Sequence, residues 1–99
     1  MKNTVSQIIT VVLSTDSMEN MKVVLNKIKT FTEIWNDDII ADIQYEQEQS
    51  SPIKVGQVSF FADNNTLRNS RFYFVLMQLI YNIKKGLPHS KFIVFTDFS

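Results

Sequence analysis

The chain has 99 residues and a mass of 11.5 kDa, the size of one domain and enough to bury a core without staples. A hydrophobic fraction of 44%, a charged fraction of 20% and only two Gly and two Pro exclude disordered, collagen-like and turn-rich all-β chains. The absence of Cys and the single His exclude disulfides, thiolate metal sites, cysteine nucleophiles and multi-His zinc sites.

No apolar run approaches the roughly 20 residues of a membrane span, and Met1–Ile9 lacks the layout of a signal peptide. No membrane partner is expected, and an intracellular, cytoplasmic setting is. The formal net charge is zero, but residues 1–50 carry four Lys against eight acids, whereas residues 51–99 carry six Lys/Arg against two acids. Such totals do not indicate a strongly basic nucleic-acid binder. They do allow a dipolar surface that orients a partner.

In chain order, Ile8–Leu13 is an unbroken apolar and β-branched run that predicts a strand buried on both faces. Ser14-Thr15-Asp16-Ser17 stops it, and Asp16 with Glu19 approximates a capping box. Met18, Met21, Val24, Leu25, Ile28, Phe31, Ile34 and Trp35 then recur at helical spacing, which predicts an amphipathic helix from Ser17 to Trp35. After Asn36-Asp37-Asp38 the period switches to two, with Ile39, Ala41, Ile43 and Tyr45 on one side and Ile40, Asp42, Gln44 and Glu46 on the other. This is a half-exposed strand.

Gln47–Pro52 is polar and reads as a loop. Ile53 and Val55 start an alternation that slips by one to Val58 and Phe60, and Gly56 at the slip predicts a β-bulge. That strand runs to about Ala62. Asp63-Asn64-Asn65-Thr66 is a turn. Nine of the ten residues Phe72–Tyr81 are apolar or aromatic, with Gln78 the exception. Propensity alone would allow a strand at Phe72–Met77, but the length of the run and the stop signals Lys84-Lys85, Gly86 and Pro88 predict a helix from Leu67 to Lys85. Lys91–Phe98 closes the chain as a strand.

The order is βαββαβ. Right-handed crossovers leave few arrangements, and the simplest is a two-layer α+β sandwich of the ferredoxin-like, split-βαβ type. Its strand order is 4-1-3-2, with both helices on one face of the sheet. Ile9, Val11, Leu13, Leu25, Ile28, Val75 and Leu79 are the expected core.

Enzymatic constellations are poor. His89 and Ser90 are neighbours in a turn, where a hydrolase needs nucleophile, base and acid converging from separate elements. Gly56 and Gly86 stand alone, so no Gly-rich phosphate loop exists. Asp16, Asp63 and Asp97 each follow or end a strand, as Mg²⁺ ligands do in α/β sheets, yet the topology puts Asp16 at the opposite end from the other two. Neither cofactor nor metal is expected. An RNA-recognition sheet would need aromatics on both central strands, and the first strand has none between Val5 and Leu13.

Two features point to protein contact. Glu33–Glu48 contains Glu33, Asp37, Asp38, Asp42, Glu46 and Glu48 without a Lys or Arg, a strip that suits a basic heterologous partner; Asp37, Asp38, Asp42 and Glu46 are its candidate binding residues. The second helix carries more apolar surface than one sheet can cover. Phe72, Val75, Leu76, Leu79, Ile80 and Ile83 supply the buried stripe, which leaves Tyr73, Phe74, Met77 and Tyr81 for an interface. The last strand, with Phe92, Val94 and Phe95 at a sheet edge, offers a second route to a homodimer.

Phe31-Thr32-Glu33-Ile34-Trp35-Asn36-Asp37-Asp38-Ile39-Ile40-Ala41-Asp42-Ile43 resembles the helix-to-strand passage of histidyl-tRNA-synthetase-like anticodon-binding domains of starvation-sensing translation-initiation kinases. With the preceding strand and helix the resemblance covers residues 8–46, and it implies an RNA-associated domain. Those domains continue with another helix, where Gln47–Ala62 here reads as loop and strand. The primary expectation is a small, inhibitor-like, non-enzymatic interaction module that self-associates or binds and inhibits a larger partner. The alternatives are an anticodon-binding-like domain and a small-ligand or metal-dependent enzyme.

Overall fold

The computed structural model describes residues 7–35, 39–62 and 70–97. Strand β1 (Gln7–Thr15) leads to helix α1 (Met18–Trp35), followed by β2 (Ile40–Tyr45), β3 (Lys54–Ala62), helix α2 (Ser70–Gly86) and β4 (Lys91–Asp97). The four strands form one antiparallel sheet in the order β2-β3-β1-β4. This is the expected ferredoxin-like βαββαβ sandwich, with β1 and β3 central and β2 and β4 at the edges.

Alternation along the strands separates the two faces of the sheet. Ile9, Val11 and Leu13 of β1 lie opposite Phe60, Val58 and Gly56 of β3 and opposite Thr96, Val94 and Phe92 of β4. These positions face the helices. Ile9, Val11, Leu13, Val58 and Phe60 join Met21, Val24, Leu25 and Ile28 of α1 and Phe72, Leu76, Ile80 and Ile83 of α2 in one buried cluster. Phe72 ties the layers together, its ring centroid 5.6 Å from that of Phe31 on α1 and 5.6 Å, edge-on, from that of Phe60 on β3. Both helices therefore lie on one face.

Local signals explain where the elements begin and end. Ser17 is the N-cap of α1: its hydroxyl accepts the Asn20 N–H at 3.0 Å, and its carbonyl accepts the Met21 N–H at 3.0 Å. The expected box on Asp16 and Glu19 is thus displaced by one residue, and Asp16 instead accepts from the Asn20 side chain at 3.0 Å. The buried Thr15 hydroxyl donates to the Ser17 carbonyl at 2.7 Å, which fixes the tight exit from β1. At the other end of the fold, α2 stops after Lys84-Lys85-Gly86, and the Leu87 N–H bonds the Ile83 carbonyl at 2.9 Å.

Several expectations are corrected by the packing. Gly56 makes no bulge, because the registers of β3 with both neighbours run through it unbroken. The apparent slip arises because Ile53 and Val55 point into solvent, while Lys54 and Gly56 continue the helix-facing row of Val58 and Phe60. β1 is not buried on both faces: Thr10, Val12 and Ser14 are only half-buried, since a two-layer sandwich covers one side of its sheet. Val75 and Leu79 are half-buried rather than core, and the α2 stripe centres on Phe72, Leu76, Ile80 and Ile83. Ile34 is exposed, and Thr32 takes the inward position, its hydroxyl bonded to the Ile28 carbonyl at 3.0 Å. Asp37, Asp38, Asp63, Phe98 and the Trp35 side chain lie outside the described residues.

Candidate functional site

The face of the sheet away from the helices is laid out by the same registers. Asp42, Ser59, Thr10 and Phe95 form one row across the four strands, and Gln44, Gln57, Val12 and Ile93 form the next. The middle of this face is polar: the Thr10 and Ser59 hydroxyls lie 3.4 Å apart, and the Gln57 amide donates to Ser59 at 3.4 Å. Exposed apolar side chains stand at both edges of this face, Ile93 and Phe95 of β4 at 57% and 56% and Ile40 of β2 at 66%.

The two sheet edges differ in chemistry. On β2, the Gln44 amide donates to Asp42 at 2.9 Å, and Glu46 follows just past the strand's end, exposed. Of the four acids expected to form a binding strip, the described residues hold Asp42 and Glu46, both exposed along that edge. Where the pairing of β2 with β3 ends at Tyr45–Gly56, the Gln49 side chain replaces the missing strand. Its amide accepts the Val55 N–H at 2.9 Å and donates to the Val55 carbonyl at 3.0 Å and the Glu46 carbonyl at 2.8 Å. Lys54 clasps the same loop through the Gln49 and Ser51 carbonyls. The hollow lined by Ile43, Gln44, Tyr45, Glu46, Gln49, Val55, Gly56 and Gln57 is an open surface depression of mixed polar and apolar groups.

β4, the other edge, has seven residues, Lys-Phe-Ile-Val-Phe-Thr-Asp, all paired with β1 on one side. Lys91, Ile93, Phe95 and Asp97 occupy the open face and are exposed, whereas Phe92 and Val94 face the helices and are half-buried. Of the apolar residues expected at this edge, Phe95 alone is exposed; Ile93 takes the place given to Phe92 and Val94. Strict alternation counted from the terminal Lys91 and Asp97 would have found it.

On α2, Phe74 and Tyr81 are 62% and 60% exposed, directly opposite the buried stripe, and Tyr73 is 37% exposed. The Lys85 ammonium lies over the Tyr81 ring at 5.6 Å from its centroid. Met77, expected beside them, packs against the core instead. It borders the buried stripe next to Leu76, and its unbranched side chain can fold under the helix.

Catalytic arrangements do not assemble among the described residues. The Ser90 hydroxyl is buried and donates to the Leu87 carbonyl at 2.6 Å, while His89 stands exposed in the turn. Asp97 is level with Ile8 and Asp16 follows Thr15, so the two carboxylates sit at opposite ends of β1. Among the described residues no group of three or more His, Asp or Glu is placed to hold a metal, and no helix is long and apolar enough to cross a membrane. Every buried side-chain N or O atom there has a hydrogen-bond partner, so none is left aimed at a ligand.

No protein-family model matches the chain, and no curated protein matches it. Solved structures do. The chain is similar to the de novo designed protein Foldit4 (TM-score 0.77, 10% identity, covering 96% of this chain and 99% of that one). It is also similar to a dimeric ferredoxin-like protein from an uncultured marine organism (TM-score 0.67, 5% identity, 95% and 94% covered). A third is the de novo designed protein LFR1 1 with ferredoxin fold (TM-score 0.55, 10% identity, 96% and 87% covered). At such identities the likeness is one of fold. Two of these three chains were designed, a reminder that the architecture carries no activity of its own.

Proposed function

We propose that this chain is a small, non-enzymatic protein-interaction module that works by self-association. One observation carries this: the apolar side chains Phe74, Tyr81, Ile93 and Phe95, on α2 and β4, are each more than half exposed. Exposed apolar residues that share a face, as Ile93 with Phe95 and Phe74 with Tyr81 do, mark an interface where isolated ones do not, and aromatic residues are enriched in such contacts. The ferredoxin-like neighbour described as dimeric supports the same reading for a fold of this size. Sedimentation equilibrium on the purified chain tests it, with a dimer as the expected result. A monomer of native fold over the whole concentration range would leave only a heterologous partner.

A second reading is favoured by the edge of β2, where Asp42 and Glu46 of the acid-rich segment Glu33–Glu48 are exposed. There the module would bind a basic protein and inhibit it by occupying its basic surface. Capture by a basic partner that weakens steeply with added salt distinguishes it from self-association.

A further inference from the structure

We infer that β4 is the self-association element, and that it pairs antiparallel with β4 of a second copy in a register centred on Val94. This rests on the self-association reading above and names its surface. A two-fold axis perpendicular to the sheet makes the strands antiparallel and keeps the helices of both copies on one side. Residues directly opposite each other must then point to the same face, so only registers pairing odd with odd and even with even numbers are possible. Among these, centring on Val94 is the one that uses the full strand Lys91–Asp97. It sets Lys91 opposite Asp97 of the second copy, Phe92 opposite Thr96, Ile93 opposite Phe95, and Val94 opposite itself.

The strand is self-complementary in that register. Its two ends carry opposite charges, so the two-fold generates two Lys–Asp pairs. Its open face carries Ile93 and Phe95, so the two-fold generates two aliphatic–aromatic pairs, both of them cross-strand contacts that stabilise sheets. Sliding by two residues places Lys91 opposite Phe95, or Ile93 opposite Asp97, and loses both matches. The edge also lacks the usual defences against pairing: it is paired with β1 along its length without a bulge, and it contains neither Pro nor an internal charge.

The other edge explains why growth stops at two copies. β2 holds Asp42 at its middle, and Glu46 follows just past its end, so antiparallel pairing of β2 with itself sets carboxylates opposite or diagonal to one another in the registers centred on Asp42, Ile43 or Gln44. One edge joins and the other repels, which closes the assembly as an eight-stranded dimer rather than an open ribbon.

Charge reversal tests the register. Lys91→Glu sets a carboxylate opposite the second copy's Asp97, and Asp97→Lys sets an ammonium opposite its Lys91. Each variant alone should therefore dimerise about tenfold or more weakly at low salt. An equimolar mixture of the two variants forms a heterodimer in which both pairs are opposite in charge again, and should recover the original affinity. Small interfaces associate in the range of about 1 µM to about 1 mM, which sets the concentrations for sedimentation. Circular dichroism checks that each variant is folded.

As a second arm, Val94→Cys in a chain with no cysteine of its own should form a disulfide-linked dimer on mild oxidation. Opposite Cα atoms about 4.5–5.5 Å apart are within disulfide reach. Gln57→Cys, on the central strand β3, should not cross-link. A dimer indifferent to both charge reversals, a mixture that fails to recover, or no Val94→Cys cross-link overturns the β4 register while leaving self-association in place. A wild-type chain that stays monomeric throughout overturns both.

Discussion

Met21 of α1 lies directly over Gly56 of β3: a methyl group at position 56 would come within 2.8 Å of the Met21 sulfur. The glycine is there for close approach of helix to sheet rather than for a bulge. Gly56→Val is expected to destabilise the fold by about 1–3 kcal/mol through overpacking. Met21→Ala, costly by itself, should relieve part of that clash, so the double variant should be more stable than the two single losses predict. Urea unfolding of the four proteins measures the coupling, and strict additivity would separate the two residues.

Phe72 and Phe74 lie two positions apart on α2 with opposite fates, one fully buried and the other mostly exposed. Phe72→Ala should cost about 3–5 kcal/mol, since it removes the ring that joins Phe31 to Phe60. Phe74→Ala should change monomer stability by no more than about 0.5 kcal/mol. Equal losses in denaturant titrations would contradict the orientation of α2.

The start of α1 gives a sharper test of local chemistry. Ser17→Ala removes the acceptor of the Asn20 N–H and should cost about 1 kcal/mol. Asp16→Ala touches only an exposed side-chain bond and should cost less than about 0.5 kcal/mol. Thermal unfolding of both variants ranks them, and a reversed order would restore the cap to Asp16.

Neutralising the acids of the β2 edge should hardly alter folding, because isolated surface charges contribute little. Asp42→Asn with Glu46→Gln should instead remove the repulsion that keeps this edge unpaired. Light scattering should then detect species larger than a dimer. If a basic partner is captured, the same variant should slow its association and flatten the salt dependence.

RNA association is expected to fail. On the open face, the central strands present Thr10, Val12, Gln57 and Ser59, with Phe61 half-buried, and aromatic stacking platforms are what single-stranded RNA requires. A titration with single-stranded RNA at varied salt should show no saturable binding. Tight binding with a steep negative salt slope would instead favour the anticodon-binding-like reading.

Much of the fold is legible in the chain itself. The helical spacing of Met21, Val24, Leu25 and Ile28, the alternation over β2 and the stop at Lys84–Pro88 identify six elements, and handed crossovers then leave one simple topology. Periodicity reports which residues share a face, and the two-layer rule puts both helices on one side. What periodicity cannot report is what lies opposite. Gly56 resembles a bulge until Met21 is placed above it, and Met77 belongs to the outer face of α2 until its side chain is seen folded onto the core. The candidate site divides in the same way. Exposure of Phe74 and Tyr81 follows from helix geometry alone, and the topology read from the chain already places β2 and β4 at the edges; that Ile93 rather than Phe92 and Val94 stands beside Phe95 on the open face is decided by what packs on the other side of the sheet. Which side chains meet across the layers, as Met21 meets Gly56, depends on residues far apart in sequence, and no local pattern encodes such a contact.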